Sequence, residues 1–382
     1  INGMSPGCGA GLVLLIWMSG WLFIVRAASL AEWRHQRNVG PCGAGEHNNG
    51  SWVARAAGEK EAAPCCQYST PDGVAPACGP SDGDSRDFKN WGARSPYGER
   101  PVMHGQSDFL LQLGGNGCKC KNWVDEYAWE PAKCTLAQWD AAAFCSLLGK
   151  RSLMFIGDST MIQVGVAVIN AVHWEMRGGS GGGGGGGCQE QLSVGLSSTL
   201  IGRALGVSNF GRRWVELANM SHSKAPGAST RPDIVVTSAG PHVTLLKDFE
   251  LLLAQVVDEH RELFPEVKLV WQTQPGAGCA PSPLEEAPGK AFWARQHPKP
   301  QTRYNWPLFP AFDDAARARF AHPAASRENL FLLDVSPLAL RADAHPGSRG
   351  DVPGDCVHSC LPGPLDHLVP RTLLHLMLHH GL

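Results

Sequence analysis

The chain has 382 residues, of which 43% are hydrophobic, and a formal net charge of −2. That length and apolar content suit one large globular domain or two ordinary ones with a sizeable core. Acids and bases are spread along the chain without a basic patch or interleaved stacking aromatics, which argues against a nucleic-acid partner.

An uncharged apolar run, Gly11–Val25, comes first. Counted from Cys8 it reaches the minimum length of a membrane span, and it equally suits the core of a signal peptide. No A-x-A cleavage site follows, so residues 1–25 are read as a signal anchor in preference to a cleaved signal. Residues 26–64 are polar and rich in glycine and alanine, the composition of a stem. From 65 to 150 cysteines and tryptophans alternate with turn residues, which predicts a loop-rich part held by disulfides. Thirteen cysteines occur, Cys8 before the apolar run and an even twelve after it, as expected for a lumenal segment in an oxidising compartment. Cys118-x-Cys120 and Cys356-x3-Cys360 lack the paired C-x2-C spacing of zinc sites, so no metal is expected. Asn49-Gly50-Ser51 and Asn219-Met220-Ser221 are acceptor sequences for glycans.

Regular structure is predicted from Arg151 onward. "LMFI" (Leu153–Ile156) reads as a buried parallel strand, and "TMIQVGVAVINAV" after it as a helix. The glycine run Gly181–Gly187 is a flexible loop by composition, and no Gly-Lys-Ser/Thr makes it a phosphate loop. "DIVVTSAG" is a second strand. Leu245, Phe249, Leu252, Leu253 and Val256 recur at helical spacing in the segment after it. "VKLVWQT" and "NLFLLDV" are the third and fourth strands, and a last helix is expected from about Val369 to His380. Strands alternating with helices predict a mostly parallel α/β sheet covered on both faces, with its active site at the carboxyl ends of the strands.

Ser159 follows the first of these strands in "FIGDST", where it is either a nucleophile or the cap of the next helix. Two similar stretches are decoys: Gly83-Asp84-Ser85 has no strand before it, and Gly178-Gly179-Ser180-Gly181-Gly182 belongs to the glycine run. A serine nucleophile needs a base and a group to orient that base. One segment supplies both, "GDCVHSCLPGPLDH": Asp355 is the only aspartate with a histidine three residues on, His358. Ser159, His358 and Asp355 are therefore the candidate triad. The Ser159 backbone N–H, Gly240 and the Gln163 side chain are candidate donors to an oxyanion. Asp158 is read as structural, and His242 as either a site wall or a core histidine. Trp271 and Trp306 are either sugar platforms or core. His375 and His379 stand at the i, i+4 spacing of a metal pair with no third ligand in view, so they are read as packed or solvated.

These blocks resemble the PC-esterase branch of the SGNH/GDSL superfamily, which includes the plant trichome birefringence-like polysaccharide O-acetyltransferases. "FIGDST" and "DCVHSCLPGPLDH" are similar to its GDS and D-x-x-H blocks, "YAWEPAKCTLAQWD" to its W-x-P-x-x-C segment, and "TSAGPHV" and "WQTQPG" to two strand ends. The likeness runs from about Cys118 to Leu382. It implies a three-layer, SGNH-hydrolase-like (flavodoxin-like) sheet over 65–382 with a disulfide-rich N-terminal part. It also implies Ser159 as nucleophile, His358 as base and Asp355 as its partner, an acetyl donor as co-substrate and no bound cofactor. The acceptor would be a carbohydrate, and the location the Golgi membrane, with a lumenal catalytic domain, or secretion. An acetylesterase and a non-catalytic glycan-binding relative are the alternatives. This chain departs from the plant pattern at Met161-Ile162-Gln163, where Arg-Asn-Gln is usual, at Ser359, where a tryptophan is usual, and at Ser238-Ala239-Gly240-Pro241-His242, where the plant block reads Asn-Thr-Gly-His.

Overall fold

The computed structural model describes residues 40–55, 68–70, 73–75, 103–104, 127–178, 188–196, 232–278, 306–322, 324–345, 356–359 and 363–382. The apolar run 11–25, the glycine run 181–187 and the sequon at Asn219 lie outside them. Two compact units separate at Gly40, and the larger, Pro41–Leu382, carries everything described below.

Short strands come first: β1 (Gly50–Ala54), β2 (Tyr68–Thr70), β3 (Gly73–Ala75), β4 (Met103–His104) and β5 (Tyr127–Pro131). The α/β part follows as α1 (Ala141–Leu148), β6 (Leu153–Gly157), α2 (Ser159–Gly178), β7 (Leu192–Leu196), β8 (Ile234–Thr237), α3 (Leu246–Leu263), β9 (Lys268–Gln272), α4 (Phe309–Phe320), β10 (Leu330–Leu333) and α5 (Pro364–His379). The main sheet has six strands in the order β10-β9-β8-β6-β7-β4, and every pairing in it is parallel. Counted from β6, the last five strands run 2-1-3-4-5, a doubly wound order whose direction reverses between β6 and β8.

Strand alternation sorts the core into two layers. Leu153 and Phe155 of β6 pack with Ile234, Val236, Phe331 and Leu333 against α1, α2 and α5. Met154 and Ile156 pack with Val235, Leu269 and Trp271 against α3 and α4. Helices therefore cover both faces, as a sheet of continuously buried strands requires. The carboxyl ends of β6 and β8 flank the switch point, where such sheets bind ligands.

Three expectations shift. Residues 41–54, read as stem, belong to the larger unit. There β1 pairs antiparallel with β5, and Cys42 is bonded to Cys134. The last helix begins at Pro364, because proline suits a first turn and Asp366 accepts the Gly363 N–H at 2.7 Å. The predicted loop-rich part contains α1, which is capped by Asp140 and joined to Cys188 through Cys145.

Candidate active site at the switch point

Gly157 ends β6, and its lack of a side chain lets α2 start directly over the strand. A Cβ there would stand 2.7 Å from Met161 Cβ, closer than carbon atoms approach. Asp158 caps the helix: its Oδ1 accepts the N–H groups of Thr160 at 3.0 Å and Met161 at 3.3 Å, and the Thr160 hydroxyl at 2.7 Å. Ser159 is thereby the first helical residue and not the cap. Asp158 has the structural role expected of it, fully buried beneath the turn.

Across the switch point, the 3-10 turn Gly240–His242 closes the end of β8. His242 Nε2 lies 3.4 Å from Asp158 Oδ2, with the carboxylate buried and the imidazole one-quarter exposed. His242 thus lies partly exposed beside the Ser159 turn, and Gly240 stands two residues before it on the same 3-10 turn.

His358 is partly exposed on a loop pinned at both ends of one peptide group. His345, itself buried, meets the His358 carbonyl through Nδ1 at 2.8 Å. The Ser359 N–H donates to Gln163 Oε1 at 2.9 Å, and Gln163 Nε2 donates to the Ser359 carbonyl at 2.8 Å. The Gln163 amide makes a two-point contact with the main chain next to His358, a role apart from the oxyanion donor expected from the sequence, and both partners are buried. Cys356 is disulfide-bonded, and its carbonyl accepts the Gly278 N–H at 2.7 Å, which joins the loop to the chain leaving β9. Gly276, on that same segment, has φ +83° and no room for a Cβ, which would meet Ala339 Cα at 2.7 Å. Asp355, Cys360 and the side chain of Ser159 lie outside the described residues.

A charged cluster that sequence reasoning missed closes the edge of the strand row. Asp334 follows β10, is fully buried, and takes Arg317 Nε at 2.8 Å, Thr273 Oγ1 at 3.1 Å and Asn48 Nδ2 at 3.2 Å. Burial opposes its ionisation, but the hydrogen bond and charge of Arg317 outweigh that and hold its pKa below the usual carboxylate range. Asp313, which accepts the Gln274 N–H at 2.8 Å, goes the other way: burial and the Asp334 charge push it well above. The only advance signal was an aspartate directly after an apolar strand.

His47 Nε2 meets the Asp334 carbonyl at 2.6 Å, and burial keeps its pKa low, so a neutral ring donates there. His375 is buried with both nitrogens on main-chain groups, Nε2 donating to Cys42 O at 2.8 Å and Nδ1 accepting from Ala137 N at 3.3 Å. Burial lowers its pKa to about 4. Trp271 and Trp306 are core residues: Trp271 packs against Phe249 and Phe320, and Trp306 is 2% exposed.

No protein-family model matches the chain, and no curated protein matches it.

Proposed function

We propose that this protein transfers an acyl group, most simply acetyl, to or from carbohydrate hydroxyls through a covalent acyl-serine on an SGNH-type fold. The observation that supports the reading is the bond between the His358 loop and the helix that Ser159 begins. Ser159 opens the helix that leaves the central strand at the switch point, and the main chain beside His358 is bonded to that same helix. The carbohydrate class, the acetyl group and the Golgi or secreted location rest on the sequence resemblance. The disulfides Cys42–Cys134 and Cys145–Cys188 agree with an oxidising compartment.

In this reading the Ser159 hydroxyl attacks the acyl carbonyl while His358 takes its proton, and Asp355 holds the imidazole in the required tautomer. The Ser159 N–H has no acceptor within the helix that it begins. With Asp158 engaged by the next two N–H groups, the Ser159 N–H is the natural donor to the developing oxyanion, and Gly240 supplies a second from across the switch point. His358 then returns its proton to the departing group. A sugar hydroxyl, or water in an esterase, is activated the same way and takes the acyl group from Ser159.

The test is incubation of the purified lumenal part with an acetyl donor and a panel of glycans, and separately with acetylated glycans alone. Mass spectrometry would then follow the gain or loss of 42 Da acetyl units, roughly the mass of an acetyl replacing hydrogen. Gain is expected in the first arm, and its loss in Ser159→Ala. Deacetylation alone assigns the esterase. No change in either arm, together with failure of a fluorophosphonate to label Ser159, overturns the reading in favour of a glycan-binding protein.

A further inference from the structure

We infer that Gln163 is a positioning residue of the proposed serine enzyme, registering the loop that bears the base against the helix that bears the nucleophile. The inference rests on the acyl-serine reading and adds the device that holds its two halves together.

Ser159 and Gln163 are four residues apart on α2, so they lie on one face of the helix, about 6 Å apart along its axis. Gln163 is 2% exposed, and its amide spans both polar groups of Ser359 with good lengths at each. Ser359 is the immediate neighbour of His358. The peptide group between them is gripped on its carbonyl side by His345 and on its N–H side by Gln163. A peptide plane fixed at both ends cannot rotate, so the backbone from which the imidazole projects keeps one orientation relative to α2.

Only a side chain with a donor and an acceptor on one planar group can do this. Glutamate would keep the acceptor for Ser359 N–H but set a carboxylate oxygen against the Ser359 carbonyl. Methionine would fill the volume and make neither bond. A base misplaced by about 1 Å costs on the order of a hundredfold in rate without altering what the nucleophile is.

The test uses the full chain and a fluorophosphonate, with the labelling rate of Ser159 followed against pH and the fraction folded measured in the same samples. For Gln163→Met we expect labelling at least tenfold slower per folded molecule. For Gln163→Glu the rate relative to wild type should rise as pH falls and the new carboxyl takes up the proton that restores its donor. A purely structural role would lower the melting temperature and leave the rate per folded molecule, and its pH profile, unchanged. That result overturns the inference while leaving the serine mechanism standing. Should Gln163→Met not fold, a rate ratio for Gln163→Glu that is flat with pH overturns it equally. A wild-type protein that takes up no probe overturns the acyl-serine reading, and this inference with it.

Discussion

At the switch point a neutral amide joins α2 to the His358 loop, whereas at the β10 edge Arg317 and Asp334 hold helix, strand and the 41–54 segment by charge. The amide contact is buried on both sides, whereas in the ion pair Asp334 is buried and Arg317 is one-quarter exposed, and the two differ in what their loss leaves behind. Removing a neutral hydrogen-bonding group costs about 1–3 kcal/mol, because the orphaned partners are dipoles. Removing one member of a buried ion pair leaves a charge without its counter-ion, which is the more expensive fault. The edge cluster therefore carries stability, and the contact beside the candidate nucleophile sets geometry at small thermodynamic cost.

The harshest way to break that contrast is Asp334→Ala. It takes away the buried counter-ion of Arg317, leaving only the exposed Asp314 carboxylate at 2.9 Å, and removes the acceptor of Thr273, Asn48 and the Ser336 N–H. Urea denaturation should show a loss of about 3–5 kcal/mol. The surviving folded fraction should still react with a serine probe at nearly the wild-type rate. A large fall in that rate would mean that the two regions are coupled. Gly157→Ala sits between the extremes, since its Cβ would collide with Met161. We expect a loss of about 1–3 kcal/mol from overpacking, with slower Ser159 labelling because the turn itself must move. Unchanged labelling would show that the turn tolerates displacement.

The mildest probe is pH. His375 has a folded pKa of about 4, below the unfolded value of 6.5, so the unfolded chain takes up its proton first as pH falls. The stability this neutral ring provides is complete above pH 6.5 and is lost progressively toward pH 4. Nearby His47, His379 and His380 disfavour its protonation further. His375→Gln should flatten the stability profile across that window. An unaltered slope would assign the acid sensitivity to other groups, of which His47 and His260, both lowered by burial, have the same sign.

How much of this was legible beforehand differs by kind of signal. The strands at 153, 233, 267 and 329 announced themselves as apolar runs ending in turn residues, and β6, β8, β9 and β10 stand there. α4 escaped notice because Pro310 opens it and its buried face, Phe309, Phe312, Ala316 and Phe320, includes a small residue that blurs the period. α5 was begun too late, at Val369, because Pro370 suits the first turn of a helix as well as Pro364 does. β7 is five residues long and follows the glycine run, too short to show an alternation. The turn at Ser159 and the location of its neighbours at the strand ends were readable from motif and topology. The roles of Gln163, His345 and Asp334 were not: Gln163 acts on chain 196 residues away, Asp334 meets Asn48 across 286, and even His345 acts 13 residues on, beyond the reach of any local periodic pattern.

The antiparallel rung that joins Ala54 to Tyr127 has a consequence for the economy of the chain as a whole. Everything between those two residues departs from and returns to a single point, and Cys42–Cys134 ties the strands on the outer side of that point. A peptidase that cut the chain once between Ala54 and Tyr127 would leave two pieces that the Cys42–Cys134 bridge still joins, so without a reductant they would travel as one molecule.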